Sequence, residues 1–136
     1  MNRRTAVAFV VLVMVFSIFS CGKKEEDIMD TSKTTYESIT MSEAEEIFKT
    51  GGEYIILDVR RDDEFREGHI PGAVNIPNEV IGEEAEKILT DKNAVIYVYC
   101  RSGNRSKQAS GKLYDMGYTD IIEFGGILDW KGDIEK

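Results

Sequence analysis

Apolar residues gather along this chain in two kinds of block. Tyr54-Ile55-Ile56-Leu57-Asp58-Val59 and Ala94-Val95-Ile96-Tyr97-Val98-Tyr99 are nearly unbroken runs, the pattern of strands covered on both faces. Ala73-Val74-Asn75-Ile76, bounded by Pro71-Gly72 and Pro77, and Ile121-Ile122-Glu123-Phe124 read as shorter strands. Between them the spacing turns helical. Ser42-x-x-Glu45 has the form of a capping box, and Ala44, Ile47 and Phe48 follow at helical intervals up to Gly51-Gly52. Asp62 to Glu67 is a short helix closed by Gly68. Residues 79–90 place Val80, Ile81, Ala85, Ile88 and Leu89 on one face, with Gly82 weakening its start. Ser106, Ala109, Ser110 and Leu113 form a further face, ended by Gly117. Ile127 to Lys131 is a terminal turn carrying Trp130. Alternating strands and helices predict an α/β fold on a parallel sheet, whose reactive groups gather beyond the carboxyl ends of the strands. Cys100 and Asp58 stand at two such ends.

The Cys100 strand end carries the chemistry. Cys100-Arg101-Ser102-Gly103-Asn104-Arg105-Ser106 turns from strand to helix, so the backbone N–H groups of Arg101, Ser102, Gly103, Asn104 and Arg105 are candidates to ring the sulfur. Such a nest favours thiolate, the reactive form. A cysteine that merely fills space has no need of two arginines and a glycine in the next five residues. The spacing Cys100-x4-Arg105 is one residue shorter than the Cys-x5-Arg loop of cysteine-dependent phosphatases. The tighter ring suits one sulfur atom carried on the cysteine, a persulfide, rather than a tetrahedral phosphoryl group. Arg105 is read as orienting the ring, and Arg101, leaving the loop earlier, as the group that attracts an anionic donor.

With this loop the chain resembles a single-domain rhodanese, a sulfurtransferase. Phe65-x-x-x-His69-Ile70-Pro71-Gly72-Ala73-x-x-Ile76, preceded by Asp58-Val59-Arg60, and Phe124-Gly125-Gly126 followed by Trp130 are similar to further segments of that family. The resemblance covers roughly residues 38 to 133, with its motifs in order. It implies a rhodanese-like α/β fold with a central parallel sheet of about five strands and helices on both faces. It also implies double displacement: Cys100 takes sulfane sulfur from thiosulfate or a similar small anion and passes it to a thiophilic acceptor, cyanide or a thiol, a protein thiol included. His69 is structural in that family, bonding within the loops. Asp58 with Arg60 reads as an ion pair or loop brace. A phosphatase or arsenate reductase of related fold is disfavoured by loop length. A persulfide relay or partner-binding module without turnover remains open.

Composition adds the setting. At 136 residues, 42% hydrophobic and 31% charged, the chain suits one globular domain. Arg3 and Arg4 precede the uncharged apolar run Ala6 to Ser20, a secretion-signal pattern shorter than a bilayer-spanning helix. Ile18-Phe19-Ser20-Cys21 resembles a bacterial lipobox, with Cys21 the lipidation site. An uncleaved anchor is the alternative, since Phe19 is bulky there. The expected organisation is a signal over 1–21, a disordered polar tether over 22–37 and the rhodanese domain over 38–136, held at a membrane in the cell envelope, facing the periplasm or exterior. A lipidated Cys21 leaves Cys100 no disulfide partner. A net charge of −8 argues against nucleic acid. One histidine and one free thiol make no metal ligand set, and the chemistry needs no cofactor.

Overall fold

The computed structural model describes residues 36–136; the expected signal with Cys21 and the tether up to residue 35 lie outside the described residues. A five-stranded sheet, all parallel, forms the middle layer, in the spatial order β1-β5-β4-β2-β3. Its strands are β1 (Glu37–Ser38), β2 (Ile55–Asp58), β3 (Val74–Asn75), β4 (Val95–Cys100) and β5 (Asp120–Gly126). The helices are α1 (Met41–Thr50), α2 (Asp62–Glu67), α3 (Ile81–Ile88) and α4 (Asn104–Asp115). This is the α/β architecture expected from the pattern. Among the described residues no helix is long and apolar enough to cross a membrane.

The continuous apolar run of β4 is explained by two separate cores. Successive strand residues face opposite sides, so Ile96, Val98 and Cys100 join Leu57, Ile81, Ala85, Ala109 and Leu113 beneath α3 and α4. Tyr97 and Tyr99 join Met41, Ala44, Ile56, Ile70 and Phe124 on the α1 side. Phe48 packs edge-on to Tyr97 and Phe124, at centroid distances of 5.1 and 5.5 Å.

Four elements depart from the sequence expectation. The capping box of α1 is Thr40-x-x-Glu43, not Ser42-x-x-Glu45: Thr40 Oγ1 accepts the Glu43 N–H at 3.2 Å, and the Glu43 carboxylate accepts the Thr40 N–H at 2.7 Å. The earlier start brings Met41 and Ala44 into the core, while Glu45 is free to accept the Lys131 N–H at 2.8 Å. The stretch from 79 begins as a 3-10 turn, Asn78–Val80, and Ile88 is 48% exposed rather than on the buried face. β5 runs on past Phe124 to Gly126. Finally, Glu37, read as the last tether residue, belongs to β1, which pairs with Ile122 and Glu123 of β5.

Candidate active site

Where β4 ends, the backbone folds back over its own last side chain. Gly103 adopts φ +106°, a left-handed conformation that other residues rarely take, and Asn104 opens α4 immediately afterwards. This tight reversal leaves Cys100 1% exposed. Its Sγ accepts the Gly103 N–H at 3.0 Å and lies 3.5 Å from Ser106 Oγ. Burial pushes the thiol upward, but hydrogen bonding with the Ser106 side chain and with the N–H groups of Ser106, Gly103 and Ser102 outweighs it, so the thiol sits below its ordinary value. Arg101, Ser102 and Asn104 are exposed and form the outer rim.

Arg105 feels the Cys100 charge, but none of the hydrogen bonds of the described residues joins its guanidinium to the sulfur. Its guanidinium grips Glu64 of α2 in a two-pronged pair, 2.7 and 2.9 Å, which ties the loop to a neighbouring element. Arg105 in turn holds the Glu64 carboxyl down to about 2 from 4.5, aided by the Arg61 N–H and opposed by burial. A carboxyl lowered in the folded state stabilises fully above about 4.5 and loses that stabilisation as pH falls through about 2. Glu64→Gln is therefore expected to lower the melting temperature by roughly 4–8 °C at pH 7, the shift for about 1 kcal/mol in a domain of this size. The difference from wild type should shrink towards pH 2, as followed by circular dichroism.

The other expected residues form a brace behind the loop. Asp58 and Arg60, both buried, make an ion pair at 2.6 Å, and Arg60 Nη2 also donates to the Gly68 carbonyl at 2.7 Å. The end of β2 is thereby joined to the end of α2, the helix that presents Glu64. His69 stacks on Phe65 at 3.7 Å, shares a 2.9 Å hydrogen bond between Nδ1 and the Phe65 carbonyl, and exchanges backbone hydrogen bonds with Glu135. None of the hydrogen bonds of the described residues joins His69 to Cys100.

Three participants escaped the sequence reading. Ser106, taken as part of a packing face, touches the sulfur. Glu123, 2% exposed, accepts from Ser106 Oγ at 2.6 Å and from the Gly125 N–H at 2.9 Å. A charged residue inside the apolar run Ile121 to Phe124 was the available signal. Gly126, pairing with Cys100 across β5 and β4, presses its bare Cα against the Arg101 and Ser102 backbone. A groove of about 590 Å³ lies elsewhere, among Phe48, Tyr54, Ile70 and Trp130, and includes no loop residue.

Comparison with known proteins agrees with the fold. The profile of the rhodanese-like domain matches residues 40–133. Thiosulfate sulfurtransferase PspE of Escherichia coli (strain K12) is 38% identical over 73 residues, 54% of this chain and 70% of that protein. Adenylyltransferase and sulfurtransferase UBA4 of Candida albicans (strain SC5314 / ATCC MYA-2876) is 31% identical over 127 residues, 85% of this chain but only 27% of that longer protein. Among solved structures, a rhodanese with anions from E. coli superposes with a TM-score of 0.57 at 35% identity, covering 61% of this chain and 98% of its own. The chain belongs to the rhodanese-like domain family, which has sulfurtransferases among its members.

Proposed function

We propose that the domain moves sulfane sulfur from thiosulfate or a similar small anion, through a persulfide on Cys100, to a thiophilic acceptor. The observation that carries this reading is the closeness of the ring: the Gly103 N–H lies 3.0 Å from a sulfur that is almost wholly covered. So little room favours an adduct of one atom over a phosphoryl group. In the first half-reaction the Cys100 thiolate attacks the outer sulfur of the donor. The donor's S–S bond breaks, sulfite leaves with the bonding electrons, and Cys100 keeps a terminal sulfur bearing the negative charge. Backbone N–H groups of the loop stabilise that charge. In the second, an acceptor thiolate or cyanide attacks the terminal sulfur and Cys100 is regenerated. Arg101, on the exposed rim, supplies positive potential along the approach. The signal-like segment ending at Cys21 supports placing this chemistry at a membrane outside the cytoplasm.

Incubation with thiosulfate and cyanide is expected to yield thiocyanate and, before cyanide is added, a Cys100 adduct one sulfur heavier by intact-mass spectrometry. Cys100→Ser should lose both. Persulfide without thiocyanate would leave a relay to one particular acceptor, and phosphate release from an aryl phosphate without persulfide would overturn sulfur transfer altogether.

A further inference from the structure

Glu123 is a buried carboxyl that the mechanism so far does not use. It is 2% exposed, and no salt bridge of the described residues includes it. A covered carboxylate ordinarily has a cation beside it, because burying an unpaired charge is costly. Here its partners are neutral: Ser106 Oγ at 2.6 Å, the Gly125 N–H at 2.9 Å and Ser38 Oγ at 3.3 Å. Of these, Ser106 also touches the nucleophile.

Ser106 makes this a chain. Its Oγ lies 3.5 Å from Cys100 Sγ and 2.6 Å from Glu123 Oε1, with the carbonyls of Gly103 and Gly125 at 2.9 and 3.4 Å. A hydroxyl has one hydrogen to give and lone pairs with which to receive. It can therefore take a hydrogen from a Cys100 thiol while giving its own to a carboxylate, or give to a Cys100 thiolate while receiving from a carboxylic acid. It cannot donate to a thiolate and a carboxylate at once. The two arrangements use the same heavy-atom positions and differ only in where the hydrogens lie.

We propose that Glu123 is the proton partner of Cys100, acting through Ser106. The proposal deepens the sulfur-transfer reading and rests on it. As Cys100 becomes a nucleophile, its S–H bond breaks and Ser106 Oγ takes that hydrogen, while Ser106 passes its own to Glu123 Oε1. Net charge is unchanged; the negative charge moves from carboxylate to sulfur, where the Gly103 N–H receives it. When the acceptor takes the terminal sulfur, the S–S electrons return to Cys100 Sγ. The two hydrogens then move back, so Cys100 leaves as a thiol and Glu123 as a carboxylate. The pair exchanges protons with solvent through a cavity of about 410 Å³ between the loop and α1, lined by Thr40, Glu43, Ser102 and Lys107 beside Glu123 itself. Glu123 is a positioning residue here, since it reaches the reacting sulfur only through Ser106. The charged and titratable groups that face it are Glu43 from α1, Lys107 from α4, Cys100 from β4 by way of Ser106, and Tyr36 ahead of β1, whose hydroxyl is raised by burial and then by the Glu123 charge.

The test is the pH profile of Cys100 alkylation by iodoacetamide in the full chain, read at the Cys100 peptide by mass spectrometry. A proton shared by two coupled groups produces two inflections with a level stretch between them. Wild type should show that stretch. Glu123→Gln should replace it with a single inflection, the rate there changing about tenfold per pH unit where wild type is flat, as a lone ionisation dictates. Glu123→Asp, which keeps the carboxyl, should restore the level stretch and serves as the test should the glutamine variant fail to fold. Superimposable wild-type and Glu123→Gln profiles, or an aspartate variant with no level stretch, would overturn the relay. Persulfide formation in the same samples separates the two readings. A level stretch without persulfide keeps the relay and removes sulfur transfer, whereas persulfide with one inflection does the reverse.

Discussion

Gly126→Ala is expected to slow persulfide formation about 100-fold, the order of loss seen when a reacting group is displaced by about 1 Å. Gly126 has an ordinary extended backbone, φ −130°, so conformational freedom is not what requires glycine here. Space is. A methyl at this position would overlap the Arg101 carbonyl and lie 2.5 Å from Ser102 Cα, both of them backbone atoms with no rotamer to give way. The strain must move either the loop or the end of β5, and overpacking of this kind costs about 1–3 kcal/mol. Because Cys100 pairs with Gly126 across the two strands, either movement shifts the sulfur relative to the Gly103 N–H. Single-turnover formation of the adduct, timed by intact mass, measures the effect. Gly111→Ala in α4, where an added carbon meets nothing within 4 Å, is the control and should keep the wild-type rate. A Gly126→Ala protein as fast as wild type would show that the close approach does not set the ring.

The second large effect falls on stability. Asp58→Asn is expected to cost about 3–5 kcal/mol, because it leaves the Arg60 charge buried and unmatched. A domain is typically stable by only about 5–15 kcal/mol, so the urea midpoint should fall sharply. Asp58 accepts the Arg60 backbone N–H at 2.9 Å and both Nε and Nη2 of its side chain, while Asn75 Nδ2 bonds the carbonyls of Asp58 and Arg60 at 2.9 Å each. Arg60 Cζ also lies 5.8 Å from the centre of the Tyr99 ring. The joint substitution Asp58→Leu with Arg60→Met should cost less than Asp58→Asn alone, since it removes both charges together. A double variant weaker than the single one would mean that the pair supplies net stability and does more than avoid a lone charge.

What could be read ahead of the structure follows from how locally each feature is specified. The bounds of α2 agree with its acidic first turn and its closing Gly68, both contained in the segment. β4 and α4 were legible because an apolar run followed by i, i+3, i+4 spacing admits few alternatives. β1 was not: Glu37 and Ser38 are polar, and β5 recruits them through backbone pairing alone. Thr40-x-x-Glu43 and Ser42-x-x-Glu45 are two equally good boxes, and the choice falls to whichever buries Met41 and Ala44. Within the site, the nucleophile and its turn lie in consecutive residues and could be named from spacing. The Arg105–Glu64 pair spans 41 positions and the Ser106–Glu123 contact 17, and no local pattern reports either. Ser106 was misjudged for a further reason. A small residue on a helix face satisfies a packing reading and a hydrogen-bonding reading equally, and only the neighbouring strand distinguishes them.

Cys100 ends the middle strand of the five, with β5 on one side and β2 on the other. Interior strands of this kind exchange their amide hydrogens only when the whole domain opens, whereas edges and rims open by local fraying. The nucleophile is thus mounted on the least yielding part of the protein, and the mobility needed to admit a donor and release a product is left to the exposed side of the turn. Thermal agitation can blur the entrance while the sulfur itself keeps station until the fold is lost as a whole.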